Sequence, residues 1–428
     1  MNMIYNSKCN IILLYIFSLI LFTVCVVGCT SSEKKGSHQN DENQQKTKIS
    51  VAPIHFEKDN SSLNIPFRII DHQIVISARL NDSIKVSLFL DTGFGNKGVM
   101  LFDPELGEKM NLNYISQIPL GGGGSEQVKK ANVAIDVNLS LPGVEFNNLQ
   151  ALVLTDKEAF KHLPVDGIIG GTLFDCVVEI DYDNNWLNLF ESNMQLPADL
   201  GEEFVLSFTY GIPVIEVDVL INEKNIPGNL IVDTGAGLPF FLFTYSSDEL
   251  NPPIKNILAR NEGLDGIMEY KLGRVSQFKV GTFLFNNTLT AFLDEKAMGS
   301  ATILGQNGFL GHQTLQKFNV VFHYSKKRMF LKPNSHYAEK YEFNMAGLVL
   351  NTRRDGKLVI FDVVKNSTGW EQKIKPGDII TEINDNKVTE YDFNKIYDLF
   401  VQEGHKIKLT LERNSKSFDC TLVLKQII

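Results

Sequence analysis

Two Asp-Thr-Gly triplets are the residues of this chain best suited to chemistry. One begins at Asp91, after the apolar run 88–90, and the other begins at Asp233, after the apolar run 230–232. Two carboxyl groups held close together away from bulk water cannot both ionise, so the pair keeps one proton. The ionised carboxylate can then take a proton from a water molecule while the protonated carboxyl donates to a carbonyl oxygen. If the fold brings the two aspartates together, we expect a hydrolytic acid–base pair with no metal and no cofactor.

The triplets belong to an internal repeat, because other features recur at nearly the same spacing. The second aspartate lies 142 positions after the first. Gly170 and Gly311, each preceded by a glycine and two apolar residues, lie 141 positions apart, and Tyr182 and Tyr324 lie 142 positions apart. Features in one register indicate a duplicated domain.

Both copies alternate apolar and polar residues with the period of two that is typical of β-strands. In the first copy the strand 84–90 leads into Asp91. In the second copy a turn predicted over 222–227 precedes the strand 229–232, which leads into Asp233. The sequence therefore predicts a mainly β fold in which each aspartate lies at the end of a strand.

A hydrophobic strand leading into Asp-Thr-Gly, with two apolar residues and a glycine about eighty positions later, resembles the lobe plan of pepsin-like and retroviral-type aspartic peptidases. The resemblance covers about residues 65–335. It implies duplicated β-barrel lobes, 61–200 and 201–335, in an aspartic endopeptidase whose catalytic residues are Asp91 and Asp233. Because one chain carries both aspartates, a monomer is expected to be the active unit.

The resemblance also implies supporting roles near the aspartates. The threonines of the triplets would hydrogen-bond across a two-fold axis, the triplet glycines would let the backbones approach, and two further glycines would brace the catalytic loops. These residues are Thr92, Gly93, Thr234, Gly235, Gly170 and Gly311. Phe94 and Ala236 follow the triplets, where pepsin-like enzymes usually carry Ser or Thr and retroviral-type enzymes carry Ala.

Glycine-rich segments lie at corresponding places in the two copies and resemble the flap tips that cover a bound substrate. The first lies between the strand-like segments 114–120 and 128–139. Glycine allows both close approach to a substrate and opening of the flap, whereas the alternative is a surface loop. The glycines concerned are Gly121, Gly122, Gly123, Gly124, Gly263 and Gly266.

The last region, 341–428, resembles a bacterial PDZ domain, which is a β-sandwich with two helices. The resemblance rests on the Pro376-Gly377-Asp378 turn, the apolar strand after it and a later helical stretch. Such domains bind a peptide as an added strand beside a helix, with its terminal carboxylate held by a glycine-containing loop. Here the domain could recruit a C-terminal peptide or could only brace the lobes. The groove residues implied are Gly347, Leu348, Val349, Phe393, Ile396 and Tyr397.

The N-terminus has the pattern of an export signal: a positive charge at Lys8, the apolar run 11–27, and a small residue before Cys29. It resembles a bacterial lipobox, which implies a signal peptide over 1–28, lipidation of Cys29 and a membrane anchor. The alternative is an uncleaved membrane span, since the run reaches only the short limit for one. Residues 29–60 are predicted to be a disordered tether, and Thr30 favours the outer membrane of a bacterial envelope.

The charge and the cysteine and histidine content of the chain bear on which partners and metal sites are expected. With 41 basic and 50 acidic residues the formal net charge is −9, and no basic stripe follows the chain, so nucleic acid is not an expected partner. No His or Cys cluster has metal-ligand spacing, and Cys176 and Cys420 are expected to be buried thiols.

Two classes of function therefore remain for this sequence. The chain is either a peptidase acting on peptides or proteins, or a catalytically silent peptide-binding lipoprotein that works through its PDZ domain. In the second class a peptidase fold survives without turnover. A separate alternative for the triplets themselves is that each is an ordinary turn at the end of a strand. The presence of both aspartates favours the first class.

Overall fold

The computed structural model describes residues 13–17, 21–25, 54–124, 128–221, 223–391 and 393–428. The predicted lipidation site, Cys29, lies outside the described residues, as do most of the predicted signal peptide and tether. Two short strands, β1 (Leu13–Phe17) and β2 (Leu21–Cys25), pair with each other in an antiparallel sheet. Among the described helices, none is both long and apolar enough to cross a membrane.

The first copy of the repeat is built from strands β3 to β13 and one short helix, α1. Their bounds are β3 (Ile54–Phe56), β4 (Ser61–Ile70), β5 (Gln73–Leu80), β6 (Ile84–Leu90), β7 (Gly98–Leu101), α1 (Pro104–Lys109), β8 (Tyr114–Leu120), β9 (Lys129–Leu141), β10 (Val144–Leu154), β11 (Gly167–Ile169), β12 (Val177–Asp181) and β13 (Trp186–Phe190). Asp103 caps α1 by accepting a hydrogen bond from the Glu105 N–H at 2.9 Å, and Pro104 occupies the first turn, where its missing N–H costs nothing.

The second copy repeats this plan with strands β14 to β24 and the short helices α2 and α3. Their bounds are β14 (Glu202–Val205), β15 (Ser207–Thr209), β16 (Ile212–Ile221), β17 (Lys224–Asp233), β18 (Phe240–Phe243), β19 (Asn256–Gly263), β20 (Gly266–Val280), β21 (Phe283–Leu293), α2 (Glu295–Met298), β22 (Gly308–Gly311), α3 (His312–Leu315), β23 (Phe318–His323) and β24 (Arg328–Pro333).

The C-terminal domain is a separate small sheet with two short α-helices. Its elements are β25 (Leu348–Thr352), β26 (Leu358–Val363), α4 (Thr368–Glu371), β27 (Ile379–Ile383), β28 (Asn386–Lys387), α5 (Phe393–Leu399), β29 (Lys406–Arg413) and β30 (Lys416–Val423). Its own apolar core includes Ile360, Ile380, Phe400 and Leu409. The predicted fold class, mainly β with two duplicated lobes and a C-terminal PDZ-like domain, is confirmed.

Strands of the two lobes are joined in one sheet. β12 of the first lobe pairs antiparallel with β23 of the second, with Val178 opposite Phe322 and Ile180 opposite Val320. The strand order across this junction is β14-β24-β23-β12-β13-β4. In β12 the residues Val178 and Ile180 are buried and Glu179 and Asp181 are half-buried, whereas five of the six residues of β23 are buried, as expected for strands inside the sheet. The shared sheet fixes the two lobes relative to each other, so their strand ends can meet in register.

Each catalytic loop lies between a pair of parallel strands. β11 runs parallel to β6, with Ile169 opposite Leu90, and β22 runs parallel to β17, with Gly311 opposite Asp233. Each lobe therefore places the glycine-containing segment directly beside the strand that leads into its aspartate.

Two sequence-based expectations about boundaries are wrong. The tether predicted to end at residue 60 is shorter, because Ile54–Phe56 pairs with Val144–Phe146 and the Glu57 N–H bonds the Gly143 carbonyl at 3.0 Å. The turn predicted over 222–227 is also shorter, because β17 already contains Pro227. Proline is tolerated there since β22 joins the other side of β17 only from Leu230 onward, so the missing N–H interrupts no second ladder.

Candidate active site

Asp91 and Asp233 meet at the junction of the lobes, and both are completely buried. A methyl group placed on Gly235 would lie 2.5 Å from the Asp91 carboxyl carbon, so the Asp91 carboxyl lies against the backbone of the second triplet. The Asp91 N–H donates to the Ile169 carbonyl at 2.9 Å, which ties the loop to β11. The structure thus brings together the two residues that the repeat singled out.

The two triplet threonines hold the loops together through four reciprocal hydrogen bonds. The Thr92 N–H donates to Thr234 Oγ1 at 3.0 Å, and the Thr234 N–H donates to Thr92 Oγ1 at 2.9 Å. Each hydroxyl then donates to the strand of the opposite lobe, Thr92 to the Val232 carbonyl at 2.7 Å and Thr234 to the Leu90 carbonyl at 2.8 Å. Every donor and acceptor in this buried unit is satisfied, which fixes the distance between the two aspartates.

Each carboxyl has one oxygen that is held and one that is not. Asp91 Oδ1 accepts from the N–H groups of Gly93 and Phe94 at 2.7 and 3.2 Å, and Asp233 Oδ1 accepts from the Gly235 N–H at 2.7 Å. Oδ2 of either aspartate has no hydrogen-bond partner among the described residues. Two fixed carboxyls with one available oxygen each can bind a water molecule and a polar group of a ligand.

The electrostatics of the pair favour a shared proton. Burial, and after it the charge of Asp233, raises the pKa of Asp91 well above its usual range. Burial likewise raises the pKa of Asp233. Because one ionised carboxylate makes the second ionisation costly, the pair holds one proton over a wide pH range.

The bracing glycines cannot be replaced by larger residues. A methyl group on Gly170 would lie 2.2 Å from the Asp91 carbonyl oxygen and 2.3 Å from that of Phe94. On Gly311 it would lie 2.0 Å from the Leu238 carbonyl oxygen. Both glycines therefore lie directly under the loops that carry the aspartates.

Sequence reasoning missed a second glycine in each catalytic loop. Gly95 and Gly237 stand four residues after the aspartates, so the repeated motif is Asp-Thr-Gly-x-Gly. A methyl group on Gly95 would lie 2.6 Å from the Tyr210 carbonyl oxygen, and one on Gly237 would lie 3.6 Å from that of Asp71. Each loop thus packs on a turn of the opposite lobe, and the equal spacing of these glycines was the available signal.

Two polar side chains near the aspartates were also missed. Gln73 is fully buried, and its Nε2 donates to the Gly235 carbonyl at 2.5 Å. The strand pairings place Ile212 at the corresponding position of the second lobe, so this contact is made on one side only. Burial, and after it the charges of Asp91 and Asp233, raises the pKa of Tyr324, which places its phenol close to the pair. The sequence shows that Tyr182 and Tyr324 occupy equivalent positions of the repeat. It does not show that the Tyr324 side chain lies near the aspartates.

The two predicted flap tips contact each other. They lie at the ends of the hairpins β8–β9 and β19–β20, although residues 125–127 of the first are outside the described residues. The Asp265 N–H donates to the Gly123 carbonyl at 2.9 Å, and the Gly122 N–H donates to the Asp265 carboxylate at 2.8 Å. Leu264 is fully buried in the same apolar cluster as Phe94, three residues after Asp91. The tips, which include Gly121, Gly263 and Gly266, therefore contact each other and share an apolar cluster with the loop that follows Asp91.

Replacing Gly124 with Ala is expected to weaken closure of the flaps. Gly124 has φ +110°, and a methyl group there would lie 2.7 Å from the Asp265 carbonyl carbon. If the chain cleaves peptides, kcat/KM is expected to fall about tenfold or more, the scale of mispositioning without loss of the reacting groups. The matched control is Gly356→Ala, which has φ +79° but no atom within 4 Å of the added methyl. Equal losses in both variants would show that backbone strain, and not flap contact, is responsible.

The predicted groove residues of the C-terminal domain lie along one edge of its sheet. Leu348 and Val349 begin β25, Gly347 precedes it with φ +71°, and Ile396 and Tyr397 lie on α5. The side chain of Phe393 is outside the described residues. Leu348, Val349 and Tyr397 line one cavity between β25 and α5, so the structure brings these three predicted residues together.

Within the described part of the chain, no group of three or more His, Cys, Asp or Glu side chains is arranged to hold a metal ion. Cys176 is buried and Cys420 is half-buried, and the two are free thiols.

Comparisons with known proteins agree with this division of the chain. A family model described as aspartyl protease matches residues 76–173, and a model described as PDZ domain matches residues 359–413. The solved structures that are similar include an aspartic proteinase from Irpex lacteus, at 13% sequence identity and a TM-score of 0.42, covering 66% of this chain and 99% of that chain. No curated protein has a significant match. The chain is therefore similar to aspartyl proteases over its first lobe and to PDZ domains over its C-terminal region.

Proposed function

We propose that this chain is an aspartic endopeptidase, with Asp91 and Asp233 as its catalytic residues. The observation that carries the proposal is the reciprocal threonine contact, which holds two buried carboxyls in place and leaves one oxygen of each without a partner. A purely structural pair of turns would have no need for two buried carboxyls that oppose each other electrostatically. The match to an aspartyl protease family over 76–173 supports the same assignment.

In the proposed reaction one carboxyl group of the pair acts as a base while the other acts as an acid. The ionised carboxylate takes a proton from water, the water oxygen bonds to the peptide carbonyl carbon, and the protonated carboxyl donates to the carbonyl oxygen. When the resulting tetrahedral diol collapses, the newly protonated carboxyl donates its proton to the leaving nitrogen, the other carboxylate takes the proton of one diol hydroxyl, the carbonyl forms again and the C–N bond breaks. The proton count is conserved, and the pair returns to its singly protonated state.

A mixed peptide library tests the proposal. We expect the chain without residues 1–28 to release products that the Asp91→Asn variant does not release. Because both aspartates are on one chain, specific activity is expected to be the same at high and low protein concentration, as for an active monomer. Identical product lists from both proteins would instead favour the catalytically silent, peptide-binding alternative. A loss of activity on dilution would argue for an obligate dimer.

The pH dependence of kcat/KM is expected to be bell-shaped. The acid limb reports loss of the single carboxylate, and the alkaline limb reports ionisation of the single carboxyl. Burial raises the pKa of Asp91 well above its usual range and that of Asp233 to about 7, so activity is expected to be lost in acid and to be retained near neutral pH.

Ala236→Ser is expected to shift the alkaline limb to lower pH by about one unit. A hydroxyl next to the second triplet can donate to the ionised pair, and a hydrogen bond to a charged group is worth about 1.5 kcal/mol, or roughly one pKa unit. Ala236→Cys is the matched control, since a thiol has similar size and is a weak donor. An upward shift, or an equal shift in both variants, would contradict the shared-proton account.

We further propose that the protein is exported and attached to the bacterial cell envelope, with the outer membrane favoured, through a lipid on Cys29. The support is the sequence pattern alone: an apolar run that stops at a small residue and a cysteine. Growth with a labelled fatty acid is expected to label the wild-type protein and not the Cys29→Ser variant. Label retained by the variant would rule out this anchor.

A further inference from the structure

The peptide groove of the C-terminal domain is occupied by a turn of the first lobe. β25 is an edge strand that pairs only with β26, and the turn between β4 and β5 lies against its free edge. The Asp71 carboxylate accepts hydrogen bonds from the N–H and the hydroxyl of Thr352, both at 3.3 Å. The His72 ring meets the Tyr397 ring of α5 edge to face, with centroids 4.8 Å apart. An Asp–aromatic pair thus occupies the place where an added strand would lie.

Two N–H groups of the loop that was predicted to hold a chain-terminal carboxylate are already used. The Asn344 side-chain oxygen accepts from the Ala346 N–H at 3.0 Å, and its backbone carbonyl accepts from the Gly347 N–H at 2.9 Å. Asn344 is buried, with 1% of its surface exposed. Because Asn344 occupies these two donors, we expect recognition in this groove to depend mainly on side chains and the strand edge, and less on a terminal carboxylate.

The resident pair leaves space beside it. A cavity of about 120 Å³ is lined by His72, Asn344, Leu350 and Tyr397, among others. His72 Nε2 and Asn344 Nδ2 are buried and have no hydrogen-bond partner among the described residues. A phenol in place of the imidazole would fill more of this space, and its oxygen could accept from the Asn344 amide.

The same turn also supports the catalytic loop. Gln73 directly follows His72 and bonds the Gly235 carbonyl, and a methyl group on Gly237 would lie 3.6 Å from the Asp71 carbonyl oxygen. The residues that fill the groove and the residue that holds the second triplet are therefore consecutive. The turn cannot leave the groove without disturbing the position of Gln73.

We propose that the groove between β25 and α5 binds an internal Asp–Tyr pair of an extended peptide, which exchanges with the resident Asp71–His72 turn. An incoming strand takes over the N–H of Thr352 through its aspartate and fills the cavity with its phenol. The binding part of this proposal is independent of the proposed peptidase activity. Its consequence for turnover, a lower kcat through loss of the Gln73 contact, depends on that activity.

The binding test uses the full chain carrying Asp91→Asn, so that the probe is not cut. The probe is a fluorescein-labelled, C-terminally amidated peptide with the sequence of residues 68–74 and tyrosine in place of His72. Fluorescence anisotropy is expected to show saturable binding that is equal for the amide and the free acid. Binding is expected to fall about tenfold when the probe aspartate is alanine, or when the protein carries Tyr397→Leu. A strong preference for the free acid, or no saturable binding, would overturn the proposal.

Exchange with the resident turn is tested by locking or emptying the groove. In an Asp71→Cys, Thr352→Cys protein the oxidised form is expected to lose probe binding and to regain it on reduction. Asp71→Ala is expected to bind the probe about tenfold more tightly, since the competing contact is gone. The second variant keeps the test usable if the disulfide does not form, and thermal unfolding checks that both variants are folded. Unchanged affinity in the Asp71→Ala protein would show that the turn does not compete.

The activity arm separates this inference from the proposed function. If the chain cleaves peptides, saturating probe is expected to lower kcat for a separate substrate about fivefold, the lower end of usual coupling, with little change in KM. The probe must be shown to survive the incubation. If no cleavage is found at all, the proposed function fails while the binding measurements still decide the groove. If cleavage is found and is insensitive to bound probe, the link through Gln73 is wrong.

Discussion

Replacing Asp91 or Asp233 with Asn is expected to lower kcat at least about a thousandfold on any peptide that the chain cleaves. Acid–base assistance contributes about a hundredfold to ten-thousandfold, and neither remaining carboxyl can act as both acid and base. Asn has nearly the same shape, so the backbone contacts of Gly93 and Gly235 and the threonine contact should persist. Steady-state kinetics of both variants provide the measurement, with Asp218→Asn in β16 as a control.

A stability measurement separates lost chemistry from misfolding. Burial raises the pKa of both aspartates above their value in the unfolded chain. The native state therefore binds more protons than the unfolded state once the pH rises above about 4, and stability falls as pH rises further. Each Asn variant removes one ionisable group from the buried pair. We expect both variants to be more stable than wild type above neutral pH and to lose less stability between pH 5 and 8.

Near wild-type turnover in either variant would contradict the catalytic assignment directly. A large loss of turnover with a lower melting temperature at all pH values would indicate a folding defect, and the assignment would lose its main kinetic support. Only the combination of lost turnover and retained or increased alkaline stability is expected from two opposed buried carboxyls.

Deleting residues 341–428 is expected to unfold the second lobe, because both ends of the C-terminal region pack into the lobe's core. Tyr341 and Ile428 are 7% and 4% exposed and belong to the apolar cluster of the lobes. The Tyr341 hydroxyl lies 3.1 Å from Thr314 Oγ1, and Arg274 donates to the carbonyls of Tyr341 at 2.9 Å and Ile428 at 3.3 Å. Losing a buried aromatic side chain costs about 3–5 kcal/mol, a large part of the usual 5–15 kcal/mol of stability.

Contacts with the first lobe add to this loss. Arg354 donates to the Leu163 carbonyl at 3.1 Å and to the Asp166 carboxylate at 2.7 Å, directly before β11, and its N–H bonds the His162 carbonyl at 2.8 Å. The C-terminal domain therefore bridges both lobes, which favours the bracing role left open by the sequence. The turn at Asp71 and His72 of the first lobe also occupies the groove of the C-terminal domain. The contacts that brace the lobes there are therefore the same contacts that a bound peptide would replace.

Urea unfolding of the full chain, of a chain ending at residue 340 and of a chain ending at Gln426 tests this expectation. The intermediate truncation removes only the last two isoleucines, and burying one such side chain contributes about 1.5–3 kcal/mol. We expect a loss of about that size for the intermediate truncation and no cooperative transition for the shorter chain. A shorter chain that unfolds cooperatively and cleaves small peptides at the full rate would show that the domain serves only recruitment.

The meeting of Asp91 and Asp233 could be predicted because its signal is local and repeated. A strand that leads into Asp-Thr-Gly is visible in consecutive residues. The recurrence of this pattern 142 positions later predicts a second lobe with an equivalent aspartate. The strand before Asp91 was placed correctly at 84–90 for the same reason. Pro227 misled the prediction for the second copy, because sequence alone does not show on which side of a strand the neighbouring strand begins.

Contacts between residues far apart in the chain could not be predicted, because no repeated or local sequence pattern marks them. Gln73 lies 162 residues from Gly235, and Asp71 lies 281 residues from Thr352. A single polar residue at the end of a strand has the same appearance whether it faces solvent or a catalytic loop. The occupied groove and the one-sided support of the second triplet therefore required the three-dimensional arrangement of all three domains.

The meeting of the two flap tips determines which proteins could serve as substrates. Gly122 and Gly123 are bonded to Asp265, and Leu264 beside them is buried, so a chain segment would enter between the hairpins only when their tips separate. A single extended segment fits between two separated hairpins more readily than a folded domain does. If the proposed peptidase activity is correct, the substrates would therefore be proteins that have already lost part of their structure.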